Sequence, residues 1–359
     1  MTAGDGSSGQ LGYCVKILIV GPSWVGDMVM AQTLFKLLHQ RHPGVALDVL
    51  APAWSLALLA RMPEVRAGIP MPVGHGKLGL GIRRQLAQRL ALSGYDQAII
   101  LPNSWKSALV PWLAGIPVRR GWRGELRFGL LNDHSLLDKS AFPRMVERFA
   151  ALAWPAAQIK RSADLPALPL PQLQADTAGQ QQALARLQLQ HDRPCLALCP
   201  GAEFGEAKRW PEAQYAEVAQ HYLQQGWQLW LFGSHKDRHG CEQIIQLLPE
   251  AMRAQAVNLA GETELAEAVD LLALADLVVS NDSGLMHVAA ALGRPLVAVY
   301  GSTSPDFTPP LGEQVQIVRS DIDCSPCFQR TCPYGHYRCL RELGSERVLE
   351  ALQQLESQR

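Results

Sequence analysis

The sequence predicts an α/β protein built from two doubly wound domains that face each other across a cleft. Short apolar runs alternate with longer amphipathic segments, a proline-rich stretch interrupts this pattern near the middle of the 359 residues, and the pattern then restarts. Continuous apolar strands separated by helices are typical of a parallel sheet covered on both faces. Ligands of such sheets bind beyond the carboxyl ends of the strands, so two facing sheets create a binding cleft between them.

The first half begins with apolar, β-branched runs that we interpret as strands over residues 16–20, 46–51 and 97–102. Amphipathic segments over residues 28–41 and 82–92 predict helices between them. Four prolines then break the pattern in the segment 154–176, which is the predicted linker. Residues 1–14 are rich in Gly and Ser and are expected to form a flexible leader outside the fold.

The second half repeats the alternation. Strands are predicted over residues 195–201, 228–233 and 256–261, and two more within 276–305, with helices over 212–225 and 237–248. An amphipathic helix is predicted from Ser345 to Ser357. The predicted organisation is therefore a leader (1–14), two Rossmann-like domains (15–170 and 171–344) and a C-terminal helix (345–359).

Composition limits the function classes. The 33 basic and 33 acidic residues cancel, so no global field draws the chain to nucleic acid or to an anionic membrane, and no nucleic-acid partner is expected. No run of about eighteen apolar residues and no apolar N-terminal segment is present, which predicts neither a membrane span nor a signal peptide. We therefore expect a cytoplasmic protein whose eight cysteines are mostly thiols.

The stretch from Asp276 to Pro305 is the most informative motif. An apolar strand runs into Asn281-Asp282-Ser283-Gly284, a helix follows, and a second strand ends at Gly301-Ser302-Thr303. A helix N-terminus exposes unpaired N–H groups and favours a phosphate. Asp282, Ser283, Gly284 and His287 could therefore bind the polar groups of a sugar nucleotide. The alternative is that Asp282 or Ser283 is an ordinary helix cap.

In the first half, Asp27 follows the first strand in the turn Gly21-Pro22-Ser23-Trp24-Val25-Gly26-Asp27, before a helix predicted to begin near Met28. The glycine spacing matches neither a dinucleotide fingerprint nor a Walker loop. A carboxylate at this place could take a proton from an acceptor hydroxyl. The alternative is that Asp27 only caps the helix, which base rates favour without further evidence.

Two strand-end turns of the second half provide further candidates. Pro200 and Gly201 begin a loop in which Lys208 and Arg209 could neutralise a departing diphosphate, although they could also be a solvated basic pair. Ser234 and Asp237 follow the next strand and could hold a ribose or a base, although Asp237 could cap its own helix.

The first half also carries basic groups beside tryptophans, in segments interpreted as loops. Arginine forks suit phosphates and carboxylates, and indole rings suit sugar surfaces. A basic surface loop and, less favoured, RNA binding are the alternatives. The candidate acceptor-binding residues are Asn103, Lys106, Arg119, Arg120 and Arg123.

Four cysteines near the end, Cys324, Cys327, Cys332 and Cys339, have the spacing C-x2-C-x4-C-x6-C. This spacing admits a structural zinc site, but its second half is shorter than that of usual zinc knuckles, so reduced thiols that shape a loop are favoured. No catalytic metal is predicted.

Three motifs together carry a resemblance to a known family: PGAEFGEAKRWP, SNDSGLMHVAAALGRPLVAVYGSTSP and CSPCFQRTCPYGHYRCL. With Gly26-Asp27 ahead of them, the chain from Lys16 to about Ser357 resembles the bacterial lipopolysaccharide heptosyltransferases of glycosyltransferase family 9, and among them the members that add the second heptose. The resemblance implies a GT-B fold, with an acceptor-binding first domain and an ADP-heptose-binding second domain.

The resemblance further implies an inverting transfer of L-glycero-D-manno-heptose from ADP-heptose onto the first heptose of the inner core, heptosyl-Kdo-lipid A. Asp27 is then the general base, Lys208 the diphosphate partner, and Asp282, Gly284 and His287 are donor contacts. ADP-heptose is a substrate and no cofactor is implied. A monomer is expected, with transient peripheral contact at the cytoplasmic face of the inner membrane.

The sequence leaves two other hypotheses for the function open. A different nucleotide-sugar enzyme of the same fold, such as a UDP-sugar transferase or an epimerase, would share the cleft and prefer another base. A sugar-nucleotide binding module would bind without turnover, and it would not need a carboxylate at the reacting centre.

Overall fold

The structure, a computed structural model, describes residues 14–74 and 77–358. Its first half forms a six-stranded parallel sheet with helices on both faces. The elements of this half are β1 (Lys16–Val20), α1 (Val25–Arg41), β2 (Ala46–Pro52), α2 (Leu56–Leu59), β3 (Ala67–Met71), α3 (Leu80–Ala91), β4 (Gln97–Ile100), α4 (Trp105–Leu113), β5 (Val118–Trp122), β6 (Asp133–Ser135) and α5 (Met145–Ala150).

The second half forms another six-stranded parallel sheet. Its elements are α6 (Thr177–Arg186), β7 (Cys195–Cys199), α7 (Glu212–Gln224), β8 (Gln228–Leu231), α8 (Arg238–Leu247), α9 (Glu250–Arg253), β9 (Ala256–Asn258), α10 (Leu265–Leu272), β10 (Leu277–Asn281), α11 (Gly284–Ala291), β11 (Leu296–Tyr300), β12 (Val315–Arg319), α12 (Arg338–Arg341) and α13 (Ser345–Glu356). Short 3-10 helices cover Ala53–Ser55, Ala151–Ala153, Ser162–Asp164, Glu206–Lys208 and His235–Asp237.

The two sheets have the same strand order. It is β3-β2-β1-β4-β5-β6 in the first sheet and β12-β11-β10-β7-β8-β9 in the second, so the order reverses between β1 and β4 and between β7 and β10. All neighbouring strands run parallel. The predicted α/β fold with two doubly wound sheets is confirmed, and each reversal point is where such a sheet binds ligands.

The central strands form where the sequence has continuous apolar runs. Every residue of β7, β10 and β11 is buried, as expected for parallel strands covered on both faces. The edge strands β3 and β12 were not predicted, because their side chains are mostly half-exposed or exposed and they carry no continuous apolar run.

Two local predictions are wrong. The helix α1 begins at Val25 rather than near Met28, so that Asp27 lies in its first turn and not in the preceding loop. Arg119 and Arg120 lie in the strand β5 rather than in a loop. The structure also has a strand, β6, beside β5 that was not predicted.

The apolar core is continuous across the two halves. One buried cluster contains side chains from β1 and α1 together with side chains from β10 and α11. Polar contacts add to it: Arg61 of the first half pairs with the buried Asp270 of α10, and the side chain of Gln32 exchanges two hydrogen bonds of 2.8 Å with the backbone of Gln172. The halves are therefore packed against each other along α1. The domain limits at residues 170 and 344 stay predictions.

The predicted leader, residues 1–14, falls outside the described residues except for Cys14, whose thiol donates to the carbonyl of Gly44 at 2.8 Å. Among the described residues, no helix has both the length and the apolar character that crossing a bilayer requires.

Candidate active site

The principal candidate residues lie at the two reversal points of the sheets. Asp27 follows β1, Lys208 lies in the loop after β7, and Asp282 directly follows β10. Because the carboxyl ends of parallel strands meet at one edge of a sheet, each half presents its candidates at one edge. The contact between α1 and α11 then brings the two edges together.

This contact is close because it is made by glycines. A Cβ atom on Gly26 would stand 2.5 Å from Cδ2 of His287, and a Cβ atom on Gly284 would stand 2.7 Å from Cβ of Val25. No side chain larger than hydrogen fits at either place without a shift of its neighbour. The first turn of α1, which carries Asp27, is thus seated on the first turn of α11, which carries His287.

Lys208 and Asp282 form an ion pair in this site. The ammonium group lies 2.6 Å from Oδ2 of Asp282, and the hydroxyl of Thr303 donates to the same oxygen at 2.5 Å. The ammonium also lies 5.0 Å from the ring centroid of Phe204, within cation–π range. Asp282 is 4 % exposed, so its charge is held in place by these two donors.

Asp27 is close enough to Lys208 and Asp282 for both charges to shift its pKa. Burial raises the pKa of Asp27 from 3.8 to about 6, an effect that Lys208 opposes and Asp282 reinforces. Among the described residues, no group donates a hydrogen bond to its carboxylate, and the N-cap of α1 is Trp24. Asp27 is therefore not the N-cap of α1 but an acid of its first turn, and a pKa of about 6 leaves its carboxyl group mostly ionised at neutral pH.

His287 is neutral at physiological pH. Burial lowers its pKa to about 4, although Asp282 acts in the opposite direction. Its Nδ1 atom is buried and has no hydrogen-bond partner within the described part of the chain. A buried nitrogen without a partner is costly in a folded protein, which suggests that a ligand group completes the site.

The adjacent loops of the second half are joined by side-chain hydrogen bonds. The amide of Asn281 donates to the carbonyl of Pro200 at 2.6 Å and its oxygen accepts from the backbone of Trp210 at 3.1 Å. Arg209 contacts Asp237 at 3.1 Å, and a Cβ atom on Gly201 would lie 2.6 Å from that carboxyl group. The predicted donor residues after β7, β8 and β10 thus lie side by side.

Asp237 also caps its own helical turn, which is the alternative that the sequence left open. Asp237 accepts hydrogen bonds from the backbone and the hydroxyl of Ser234 at 2.9 and 2.7 Å, and so caps its own 3-10 turn. Ser283 is the N-cap of α11, but its side chain makes no capping hydrogen bond; it lies 3.3 Å from the hydroxyl of Ser280.

The predicted acceptor residues divide into two groups. Arg119 donates to the carbonyls of Leu130 and Ile116, and Arg120 is buried and paired with Asp133 at 2.6 Å. These two guanidinium groups hold β5 in its own sheet, because their hydrogen bonds are used within the first half. The structure therefore contradicts their assignment to an acceptor-binding loop.

The other acceptor candidates follow the strand ends. Asn103 follows β4, the neighbour of β1, and Lys106 lies in the first turn of α4. Arg123 follows β5 and its guanidinium lies 5.7 Å from the ring centroid of the exposed Phe128. The loop after Arg123 packs on Asn103, since a Cβ atom on Gly124 would stand 2.6 Å from the Asn103 carbonyl oxygen.

The four C-terminal cysteines are free thiols that line one small cavity. Burial, followed by the nearness of the other three thiols, raises the pKa of Cys339 to about 11. Backbone hydrogen bonds from residues 334–337, foremost Tyr337, lower the pKa of Cys332. Over the described ranges, no group of three or more His, Cys, Asp or Glu side chains has an arrangement that could hold a metal ion.

Comparison with known proteins assigns this arrangement to a family. Residues 83–338 match the model of glycosyltransferase family 9 (heptosyltransferase). The chain is 50% identical to lipopolysaccharide heptosyltransferase 2 of Escherichia coli K12 over 342 residues, which are 95% of this chain and 98% of that protein. The chain belongs to glycosyltransferase family 9.

Other members of the family are similar to this chain over nearly its whole length. Lipooligosaccharide heptosyltransferase 2 of Haemophilus influenzae is 47% identical over 95% of this chain and 99% of its own length. The solved structure of E. coli ADP-heptose lps heptosyltransferase II superposes with a TM-score of 0.87 at 48% identity, covering 96% of this chain and 99% of that chain. The predicted resemblance to this family and the predicted GT-B fold are confirmed.

Three residues that shape this family 9 site, Asn281, Thr303 and Phe204, have contacts that the sequence motifs do not indicate. A signal for Asn281 was present, since an Asn at the end of a fully buried apolar strand needs hydrogen-bond partners. No local signal indicates Thr303, whose partner Asp282 lies in another loop.

Proposed function

We propose that this chain transfers L-glycero-D-manno-heptose from ADP-heptose onto the first heptose of the lipopolysaccharide inner core, in a single inverting displacement. The observation that carries the proposal is the position of Asp27: a carboxylate from the first half, ionised at neutral pH, beside the Lys208–Asp282 pair of the second half. A transferase needs this combination, since one half must present the acceptor and the other must hold the donor's leaving group.

Asp27 acts as the general base in this proposal. It takes the proton of the acceptor hydroxyl as that oxygen attacks the anomeric carbon of the donor, and the bond from that carbon to the ADP oxygen breaks on the opposite face. Its raised pKa of about 6 suits this task, because a general base works best when its pKa lies near the operating pH. A positioned base of this kind contributes about a hundred- to ten-thousandfold.

Lys208 stabilises the charge that develops on the departing diphosphate. In the structure the charge of the Lys208 ammonium is balanced by Asp282. The diphosphate of bound ADP-heptose therefore either replaces Asp282 at this ammonium group or binds it together with Asp282. Gly284 and His287 at the start of α11 contact the donor, and Pro200, Gly201, Ser234 and Asp237 surround its nucleoside. Because Lys208 supplies the positive charge, we expect turnover to be independent of added magnesium.

The acceptor lies against the carboxyl edge of the first sheet. Asn103, Lys106 and Arg123 at this edge are suited to the phosphates or Kdo carboxylates of the inner core. Arg119 and Arg120 are left out of this proposal because of their internal hydrogen bonds. The lipid end of the acceptor implies work at the cytoplasmic face of the inner membrane, as a peripheral and monomeric protein.

The decisive experiment incubates the protein with ADP-heptose and monoheptosylated Kdo-lipid A and weighs the product by mass spectrometry. We expect the mass of one added heptose and the release of ADP. A product of unchanged mass, with a protein that is folded and binds ADP, would refute the transfer. Thermal shifts with ADP, UDP and GDP separate this donor from those of other nucleotide-sugar enzymes, since only a nucleotide that binds the folded state raises the unfolding temperature.

A further inference from the structure

The carboxyl edge of the first sheet carries exposed apolar side chains. Leu126 is 81 % exposed and Phe128 is 68 % exposed, both in the segment that follows β5, and Leu80 and Ile82 at the start of α3 are exposed as well. Among the described residues, none of these four side chains belongs to an apolar core or packs against one. Because apolar side chains stabilise a fold by leaving water, these four contribute little to folding.

Two buried arginines join the segments that carry these side chains. Arg83 of α3 donates to the carbonyl of Lys106, in the first turn of α4, at 3.0 Å. Arg127 donates to the carbonyl of Pro102 at 2.8 Å and to the side-chain oxygen of Asn103 at 3.3 Å, just ahead of α4. The start of α3, the start of α4 and the segment after β5 therefore lie together beyond the end of β4.

The charge around the exposed apolar side chains is strongly positive. Residues 77–130 contain nine basic residues and two acidic ones, in a chain whose total charge is zero. Lys77 and Arg84 are exposed, and Arg123 is half-exposed. One of the two acids, Glu125, accepts a hydrogen bond of 3.1 Å from the first backbone N–H of α4. Exposed apolar side chains among basic ones complement a partner that is both apolar and anionic.

We propose that this edge of the first half docks on the surface of an anionic lipid bilayer. The apolar side chains enter the boundary between headgroups and acyl chains, and the basic side chains remain with the lipid phosphates. The choice of a bilayer as the partner rests on the proposed function, whose acceptor carries lipid. The docking surface consists of Lys77, Leu80, Ile82, Arg84, Arg123, Leu126 and Phe128.

The docking surface borders the place proposed for the acceptor. Asn103 and Lys106 lie on the same edge, and Asn103 accepts a hydrogen bond from Arg127 of the docking segment. The sugar end of a lipid-linked acceptor stands at the surface of its bilayer. Docking at this edge therefore presents that sugar to the first half while the acyl chains stay in the membrane.

The test measures binding of the full chain to lipid vesicles by sedimentation, without ADP-heptose and without acceptor. We expect binding to vesicles made of equal parts of phosphatidylcholine and phosphatidylglycerol, and binding at least about tenfold weaker to phosphatidylcholine alone. Binding to the anionic vesicles should fall as salt is added, because salt screens the attraction between exposed charges. Equal binding to both kinds of vesicle, or no binding to the anionic ones, would overturn the proposal.

A double variant locates the surface. Leu80→Ser together with Leu126→Ser should weaken binding to anionic vesicles by about tenfold or more, because two apolar side chains no longer enter the lipid. The matched control is Leu92→Ser together with Leu247→Ser, since these leucines are 90 % and 55 % exposed and lie just past the end of α3 and at the end of α8. The control should bind like the unaltered chain, and circular dichroism checks that both variants are folded. Undiminished binding by the first variant, or an equal loss in the control, refutes the assigned surface.

Transfer assays with two acceptors separate docking from the proposed function. On a water-soluble acceptor without acyl chains, the Leu80 and Leu126 variant should match the rate of the unaltered chain, and it should be slower only on lipid-bearing acceptor in vesicles. Vesicle binding by an unaltered chain that transfers to neither acceptor would support docking and refute the transfer. An equal loss on both acceptors would overturn docking, and so would a dimer of the unaltered chain in light scattering that the variant breaks, because the surface would then join two copies.

Discussion

The imidazole of His287 lies against the backbone of Gly26, so that a methyl group on Gly26 would stand 2.5 Å from its Cδ2 atom. The two residues belong to different halves of the chain, and each neighbours a group of the proposed reaction. The contact therefore sets how closely the carboxylate of Asp27 approaches the donor side of the cleft.

The first prediction concerns this contact. Gly26→Ala should lower turnover, because the added methyl group pushes the first turn of α1 away from α11, and overpacking of this kind costs about 1–3 kcal/mol. Gly81→Ala is the matched control, since a Cβ atom there meets nothing within 4 Å. Steady-state rates and unfolding temperatures of both variants check the prediction. Equal rates would show that the α1–α11 contact does not position the base.

Asp27→Asn should reduce turnover by about a hundred- to ten-thousandfold and leave ADP affinity nearly unchanged. The substitution removes the proton acceptor and keeps the shape of the side chain. In the unaltered protein, turnover should fall as the pH drops below about 6, where Asp27 becomes protonated. A pH–rate profile that stays flat down to pH 5 would contradict the role of Asp27 as the base.

The same substitution should stabilise the fold at neutral pH. The pKa of Asp27 is raised from 3.8 to about 6, so the folded state binds the proton more tightly than the unfolded state and loses stability as the pH rises through this window. Asp27→Asn avoids this loss, with an upper limit of about 3 kcal/mol. Denaturant unfolding at pH 7.5 and at pH 4 measures it. The gain should shrink at the lower pH, and a destabilised variant at pH 7.5 would be evidence against the shift.

Lys208→Ala should lower turnover by an amount on the order of 2.7–4 kcal/mol, the cost of losing one donor that stabilises a developing charge. It also leaves the buried carboxylate of Asp282 without its ion-pair partner, with only the Thr303 hydroxyl still donating to it, so circular dichroism must show that the fold persists. The control Lys236→Ala removes a lysine from an exposed pair with Glu203, where little loss is expected. An unaltered rate for Lys208→Ala would refute the assignment.

Arg123→Ala should raise the KM for the acceptor with little change in the KM for ADP-heptose, because its guanidinium lies on the first half, beside the exposed Phe128 ring. Arg84→Ala, an exposed arginine on α3, controls for the loss of one positive charge. Kinetics with each substrate varied in turn measure the difference. A change in the donor KM alone would place Arg123 outside the acceptor site.

The sequence predicted the central architecture because burial and composition coincide there. The buried residues of Lys16–Val20 are all apolar, and Leu277–Asn281 is apolar except at its last two residues, so both strands are visible without knowledge of the fold. The order of polar turns after these strands then indicated where the site would form. Edge strands such as β3 were not predicted, because an edge strand is partly exposed and forms without a continuous apolar run.

The errors arise where tertiary partners decide the outcome. Arg120 is buried in β5 because Asp133 of the next strand neutralises it, and a sequence window around Arg120 suggests only a basic loop. The start of α1 was misplaced because its N-cap is Trp24, which makes no capping hydrogen bond with its side chain. The contact between Thr303 and Asp282 joins two loops and has no local signature.

The raised pKa of Asp27 also bears on how the catalyst returns to its starting state. In the proposed mechanism the carboxyl group holds, after each transfer, the proton that it removed, and a group with a pKa of about 6 releases that proton to bulk water at neutral pH. If Asp27 is the base, as proposed, its regeneration does not require a second acid–base residue. The enzyme is ready for another acceptor as soon as the products have left.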